Sequence, residues 1–271
     1  MRRSTGAIVC PGCRKLIEVN DPRCPYCGRL RPGLWGYGPA LARLVGAGDP
    51  TALIIGASVL FYGLALMIDL PGALHPRHLM GILGPSPRAL TILGMTGGSA
   101  WAQGQIWTVL SAIYLHGGIF HIVFNMMWVK SLGPAVEEIY GPARAFILFQ
   151  VAGAAGFLVS NWLSGAPTVG ASGAIFGLLA ALIAHGRRAG RSLLTSQLLR
   201  FAAILFVFGF VMPGVNNLAH AGGFAGGWMG AMLMGAGVRG REGTGTQLVA
   251  LASGILSLAA VVMSAVTALA G

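Results

Sequence analysis

The chain has 271 residues, 55% of them hydrophobic and only 9% charged, with a mean hydropathy of +0.74. Soluble domains carry about 25% charged residues, so a water-soluble globular fold is excluded and the chain reads as an integral membrane protein. The formal net charge of +11 comes from 18 Lys and Arg against 7 Asp and Glu; the basic residues gather at the edges of apolar runs, which argues against a nucleic-acid partner.

Residues 1–50 precede the first long apolar run, and no cleavable signal peptide is visible in them. The stretch CPGCRKLIEVNDPRCPYCG holds all four cysteines as two C-x-x-C pairs, Cys10/Cys13 and Cys24/Cys27, with ten residues between the pairs. Thiolates at this spacing can converge on one tetrahedral ion, and Pro and Gly permit the tight turns that aim backbone amides at sulfur. The pattern resembles the short zinc-ribbon modules, which implies a structural zinc in a head of residues 1–30. Two disulfides are the alternative, disfavoured in a reducing cytoplasm. Four cysteine ligands leave no open coordination position, and a head this small needs such a staple. No partner for the head is legible. Residues 31–50 read as a linker, in which Trp35 and Tyr37 suit the membrane interface and Arg43 can reach lipid phosphates.

Uncharged runs close to the length a bilayer requires predict seven spans, at 51–69, 117–136, 145–163, 171–186, 198–212, 216–237 and 247–270. By hydropathy alone the second, with His121, Asn125 and Lys130, and the short fifth are the weakest. The 70–106 connection is long and rich in Pro and Gly, with an apolar LTILGM inside it, so a partly embedded structure near the outer leaflet is expected. Its His75-x-x-His78 pair lacks a carboxylate or cysteine companion and is not expected to bind metal. Basic residues crowd the segment before the first span, HGRRAGR (185–191) and VRGREG (238–243), and are absent from 164–169 and 213–215. The N-terminus is therefore predicted to be cytoplasmic and the seventh span to end outside.

Three spans carry polar groups at membrane depth, where they are costly and point inward. The second opens YLHGGIFHIVFNMMWVKSLG, and its His121 and Asn125 are four apart, on one helical face. Alone, such a pair reads as interhelical hydrogen bonding. The fourth carries Ser172 in GASG at its N-terminal end, where free amides and the positive dipole end favour an oxyanion. One turn on, Phe176 shares the face of Ser172. The sixth reads NNLAHAGGFAGGWMGA, with His220 its only ionisable group. Its two overlapping pairs, Gly222/Gly226 and Gly223/Gly227, allow close packing against the fourth span and can bring His220 to Ser172. A serine nucleophile needs such an imidazole. With no carboxylate placed beside His220, a Ser–His dyad is implied, oriented by the helix bundle.

HGGIFHIVFNM, GASG and AHAGG, in this order on spans two, four and six, resemble the rhomboid intramembrane serine proteases over residues 51–237. The resemblance implies Ser172 as nucleophile and His220 as general base. His121, Asn125 and the Ser172 amide would correspond to the oxyanion hole, and His116 to a supporting histidine. AVEEIYGPAR looks like the family segment after span two, with Glu137 in the usual acidic position. Two departures stand out: Trp107-Thr108 where the family often has Trp-Arg, and Phe176 where many members have Tyr.

The expected fold is thus an all-α polytopic membrane protein. A rhomboid-like six-helix bundle at 51–237 is followed by a loop and a seventh transmembrane helix at 238–271, with the zinc-ribbon head in front. No cofactor is expected for catalysis. The implied partners are the lipid bilayer and transmembrane protein substrates, in a membrane of bacterial inner-membrane type. Two competing readings are an inactive rhomboid-like protein that binds membrane helices, although such proteins typically lack the serine or histidine, and a transporter, against which no internal repeat is found.

Overall fold

A chain this apolar has to satisfy its backbone within helices. In a computed structural model, seven long helices account for most of it: α1 (Pro50–Ile68), α2 (Ile119–Tyr140), α3 (Pro142–Leu163), α4 (Ser172–Arg188), α5 (Ser192–Val211), α6 (Asn217–Met234) and α7 (Thr244–Ala270). The structure describes residues 5–10, 13, 15–37, 49–74, 82–235 and 242–270. Arg43, His75, His78, Arg239 and Arg241 lie outside them.

Five of the helices, α1, α2, α3, α5 and α7, are long and apolar enough to cross a membrane by length and composition. All seven runs that hydropathy marked are helical, but the two that fall short of this measure are not the two that looked weakest in sequence. The second and fifth spans qualify, the fifth because it runs the full 20 residues of Ser192–Val211. The fourth and sixth do not. α4 has 17 residues and ends in His185, Arg187 and Arg188, while α6 is rich in glycine and carries His220. α4 is an inner helix whose neighbours replace lipid, while α6 buries its glycine faces and leaves Met229, Met232 and Leu233 exposed. Gly173 to Ala184 of α4 are buried without a break, so its residues need small size and close fit more than hydropathy.

α6 wedges between α3 and α4. A side chain at Gly223 would strike the Gly173 carbonyl, and one at Gly227 the Gly177 backbone, both on α4. Gly222 and Gly226 turn to α3 instead, where an added Cβ would lie 2.9 Å from the Ala155 carbonyl oxygen and 2.6 Å from the Ala155 Cβ respectively. The two glycine pairs therefore serve two neighbours, where the sequence suggested only the fourth span. They sit one residue apart, about 100° around a helix, and so face different partners.

Three acidic residues act as caps at one end of the bundle. Asp49 accepts from the Ala52 amide at the start of α1, and Glu137 at the end of α2 accepts from the Thr51 amide and hydroxyl. Glu242 spreads its carboxylate over the Ala143 and Arg144 amides, at 3.0 and 2.7 Å, at the start of α3. Negative charge at orphan N–H groups is favourable there.

The 70–106 connection folds into short helices, Leu70–Ala73, Pro87–Leu93 and Gly98–Ala102. Leu90 and Leu93 pack in a small apolar cluster with Ala65 of α1 and Val261 of α7. α7 also ties down the end of this connection. The Trp107 indole donates to Ser264 of α7 at 3.1 Å, and the Thr108 hydroxyl bonds to Thr96 at 3.0 Å. Deeper in, Gln150 of α3 donates to Ser257 of α7 at 2.6 Å and accepts from Tyr114. The head is a two-stranded antiparallel hairpin, β1 (Ala7–Val9) and β2 (Leu16–Glu18), with Val9 opposite Leu16. Its core is Ile8, Ile17 and Val19 with the cysteines.

Candidate active site and metal centre

Successive long helices alternate in direction, so α2, α4 and α6 begin at the same end of the bundle. That parity brings the polar residues of three separate segments together. Ser172 is the first residue of α4, no side chain caps its N-terminus, and Ala171 as N-cap leaves the first-turn amides open. His220 lies in the first turn of α6, whose N-cap Asn216 accepts from the Ala219 amide. The Asn216 amide group also donates to Ser160 of α3 at 2.6 Å and to Thr168 at 2.9 Å, which ties the start of α6 to the segment leading into Ser172.

The Ser172 hydroxyl oxygen lies 2.9 Å from His220 Nε2. The imidazole is stacked on Phe176, ring centroids 4.4 Å apart and planes 18° from parallel. Phenylalanine in place of tyrosine thus keeps the ring support without a hydroxyl. The other imidazole nitrogen, Nδ1, is 3.2 Å from Asn217 Oδ1. Among the described residues no carboxylate bonds to His220. The histidine's contact with Asn217 was missed from sequence, although the spacing of three between Asn217 and His220 is itself the signal for one helical face.

His121 and Asn125 reach the same end of the bundle. The Gly117 amide donates to His121 Nδ1 at 3.3 Å, which makes Nε2 the protonated nitrogen of a neutral ring. That N–H is turned toward the loop before Ser172: an added Cβ at Gly170 would lie 2.7 Å from His121 Nε2. Asn125 donates one N–H to the His121 carbonyl at 2.7 Å, and its oxygen is buried without a partner in the protein. His116 is buried edge-on to His121, with ring centroids 5.1 Å apart. The constellation therefore offers a hydroxyl paired with an imidazole, open helix amides and an N–H donor beside them.

At the head, no disulfide joins the cysteines, and the four sulfur atoms lie within 4.8 Å of one another. The pairs Cys10/Cys27 and Cys13/Cys24 are 3.8 and 3.6 Å apart. A tetrahedral zinc with bonds of about 2.3 Å places its sulfurs about 3.8 Å apart, so the donor set fits the ion. Amides also point into the cluster. Burial opposes charge on Cys24, yet the Tyr26 and Cys27 amides and the neighbouring thiols outweigh it and lower its pKa to about 7. The four cysteines can hold a metal ion.

Residues 103–237 match the family model of the Rhomboid domain. Rhomboid protease GluP of Bacillus subtilis is 35% identical over 187 residues, which cover 66% of this chain and 37% of that protein. RHOMBOID-like protein 1 of Arabidopsis thaliana is 33% identical over 58% of this chain and 42% of its own length. Inactive RHOMBOID-like protein 8 of the same plant is 28% identical over 53% of this chain. The chain spans less than half the length of each of these three relatives. With its Rhomboid domain and its bundle of membrane helices, the chain belongs to the rhomboid family.

Proposed function

We propose that the chain is an intramembrane serine endopeptidase working through Ser172 and His220. The observation that carries this reading is the 2.9 Å approach of the Ser172 hydroxyl to His220 Nε2 at the shared end of α4 and α6. His220 takes the hydroxyl proton as the Ser172 oxygen attacks a peptide carbonyl. The oxyanion that forms is met by the Ser172 amide, the His121 Nε2–H and the remaining Asn125 N–H. The protonated His220 then gives its proton to the leaving amine, leaving an acyl group on Ser172. Water, deprotonated by the same imidazole, releases the acid.

The substrate on this reading is a single-span membrane protein whose helix is easily unwound, since a peptide bond must leave its own hydrogen bonds to reach Ser172. It enters past α5, which of the five membrane-crossing helices has the smallest buried share. The basic segments of the sequence support a cytoplasmic N-terminus, with Ser172 near the outer face of a membrane like that of a bacterium. The four cysteines hold a structural zinc, which supplies rigidity to the head and nothing to the chemistry.

The test is a labelled fluorophosphonate probe together with cleavage of a single-span model substrate in proteoliposomes. Wild type is expected to react in both assays, and Ser172→Ala and His220→Ala in neither, with all three eluting alike as folded protein. Cleavage by purified Ser172→Ala would overturn the assignment. A wild type that neither labels nor cleaves would favour an inactive member that binds membrane helices; one relative is named as inactive.

A further inference from the structure

We propose that Asn217 is the positioning residue that holds His220 in the tautomer a general base requires. The inference rests on the protease reading above and deepens it. A neutral imidazole carries one N–H, and only the other nitrogen can accept a proton from the serine. Asn217 Oδ1 lies 3.2 Å from His220 Nδ1. An amide oxygen can only accept, so the proton sits on Nδ1 and the lone pair of Nε2 faces the Ser172 hydroxyl, 2.9 Å away. With the amide reversed, an N–H would face Nδ1, push the ring proton to Nε2 and leave Ser172 facing a donor. In hydrolytic triads a carboxylate does this orienting; here a neutral amide does it with no charge to bury.

Two further contacts hold the arrangement. Asn217 is three residues before His220 on α6, so both side chains leave the same face. Across from it, α5 presents Gly209, and a side chain there would collide with Asn217 Oδ1. The gap left by that glycine is the space the amide oxygen occupies. Phe176 closes the other side by stacking on the imidazole. His220 is thus fixed in plane by Phe176 and in rotation and protonation by Asn217.

The test uses full-length protein, histidine-labelled with nitrogen-15, in lipid bilayers. Ring nitrogen shifts of His220 are assigned by difference from His220→Ala and compared in wild type, Asn217→Leu, Asn217→Asp and Gly209→Ala, alongside kcat and KM on the model substrate. Wild type should show a protonated Nδ1 and a bare Nε2. Asn217→Leu, equal in size but unable to accept, should mix the tautomers and lower kcat about tenfold or more at an unchanged KM, the loss of one orienting hydrogen bond. Asn217→Asp should restore the tautomer and most of kcat. Gly209→Ala, which leaves Asn217 in place and crowds its oxygen, should act in the same direction and serves if Asn217→Leu does not fold. Wild-type tautomer and kcat in Asn217→Leu, or an aspartate no better than leucine, would overturn the inference and leave the protease reading standing. Asn217-dependent shifts in a wild type that cleaves nothing would support the positioning role while removing the reading it serves.

Discussion

Gly170 is where backbone conformation and site chemistry meet in one residue. Its φ is +128°, a conformation that side chains avoid, and an added Cβ would press on His121 Nε2 at 2.7 Å. Gly170→Ala therefore carries about 1–3 kcal/mol of backbone strain and displaces the His121 N–H proposed to meet the oxyanion. Thermal unfolding should fall by several degrees, and Ser172 labelling by fluorophosphonate should slow more than the stability loss explains. Labelling at the wild-type rate would show that His121 does not depend on Gly170 for its position. At the same scale, Phe176 gives the His220 imidazole a flat ring at stacking distance without the hydroxyl a tyrosine would add.

Among the elements, α6 decides whether the hydroxyl and the imidazole meet. Its Gly223 and Gly227 leave no space between the α6 and α4 backbones, whereas Gly56 on α1 has nothing within 4 Å of an added Cβ. The two kinds of glycine should respond oppositely to alanine. Gly227→Ala overpacks the interface and should cost about 1–3 kcal/mol while lowering cleavage, because the two helices must part. Gly56→Ala only removes backbone freedom from a helix interior and should gain about 0.5–1 kcal/mol without touching activity. Unfolding of both variants in one detergent checks the pair; equal effects would mean that helix packing does not set the glycine requirement. The polar links of α7, Ser264 to Trp107 and Ser257 to Gln150, make that helix part of the wall behind the connection rather than an appendage.

For the whole molecule, the capping ends and the site lie at opposite ends of the bundle. Glu137, Glu242 and Arg188, which donates to the Met232 carbonyl at 3.2 Å, secure one end. The head meets the same end, with Arg29 against Gly243. A head core of Ile8, Ile17 and Val19 is too small to fold without its cysteine cluster. Stripping metal from the full-length protein with a chelator, or replacing Cys24 by serine, should therefore unfold residues 5–37 as read by limited proteolysis. Labelling of Ser172 should persist, since the site is separated from the head by the length of the bundle. A protected head after complete metal removal would refute the staple, and loss of labelling would show that the head supports the far end of the membrane domain.

Composition and hydropathy by themselves determined that the chain is a helical membrane protein, because a bilayer leaves an apolar backbone few other solutions. Cysteine spacing likewise determined which four residues come together, since C-x-x-C turns are local. Ser172 and His220 were legible from small residues flanking them, which make sense only where helices touch. Hydropathy marked α4 and α6 as helices but could not say how deep they lie: α4 is enclosed by other helices and has no lipid to match, and α6 spends its glycines on close contact. Sequence also could not assign each glycine pair its neighbour, find Ser264 as the anchor of Trp107, or bring Asn217 and Gly209 to one point. Those depend on the rotation of α5, α6 and α7 about their own axes, which the packed bundle sets as a whole and no single segment encodes.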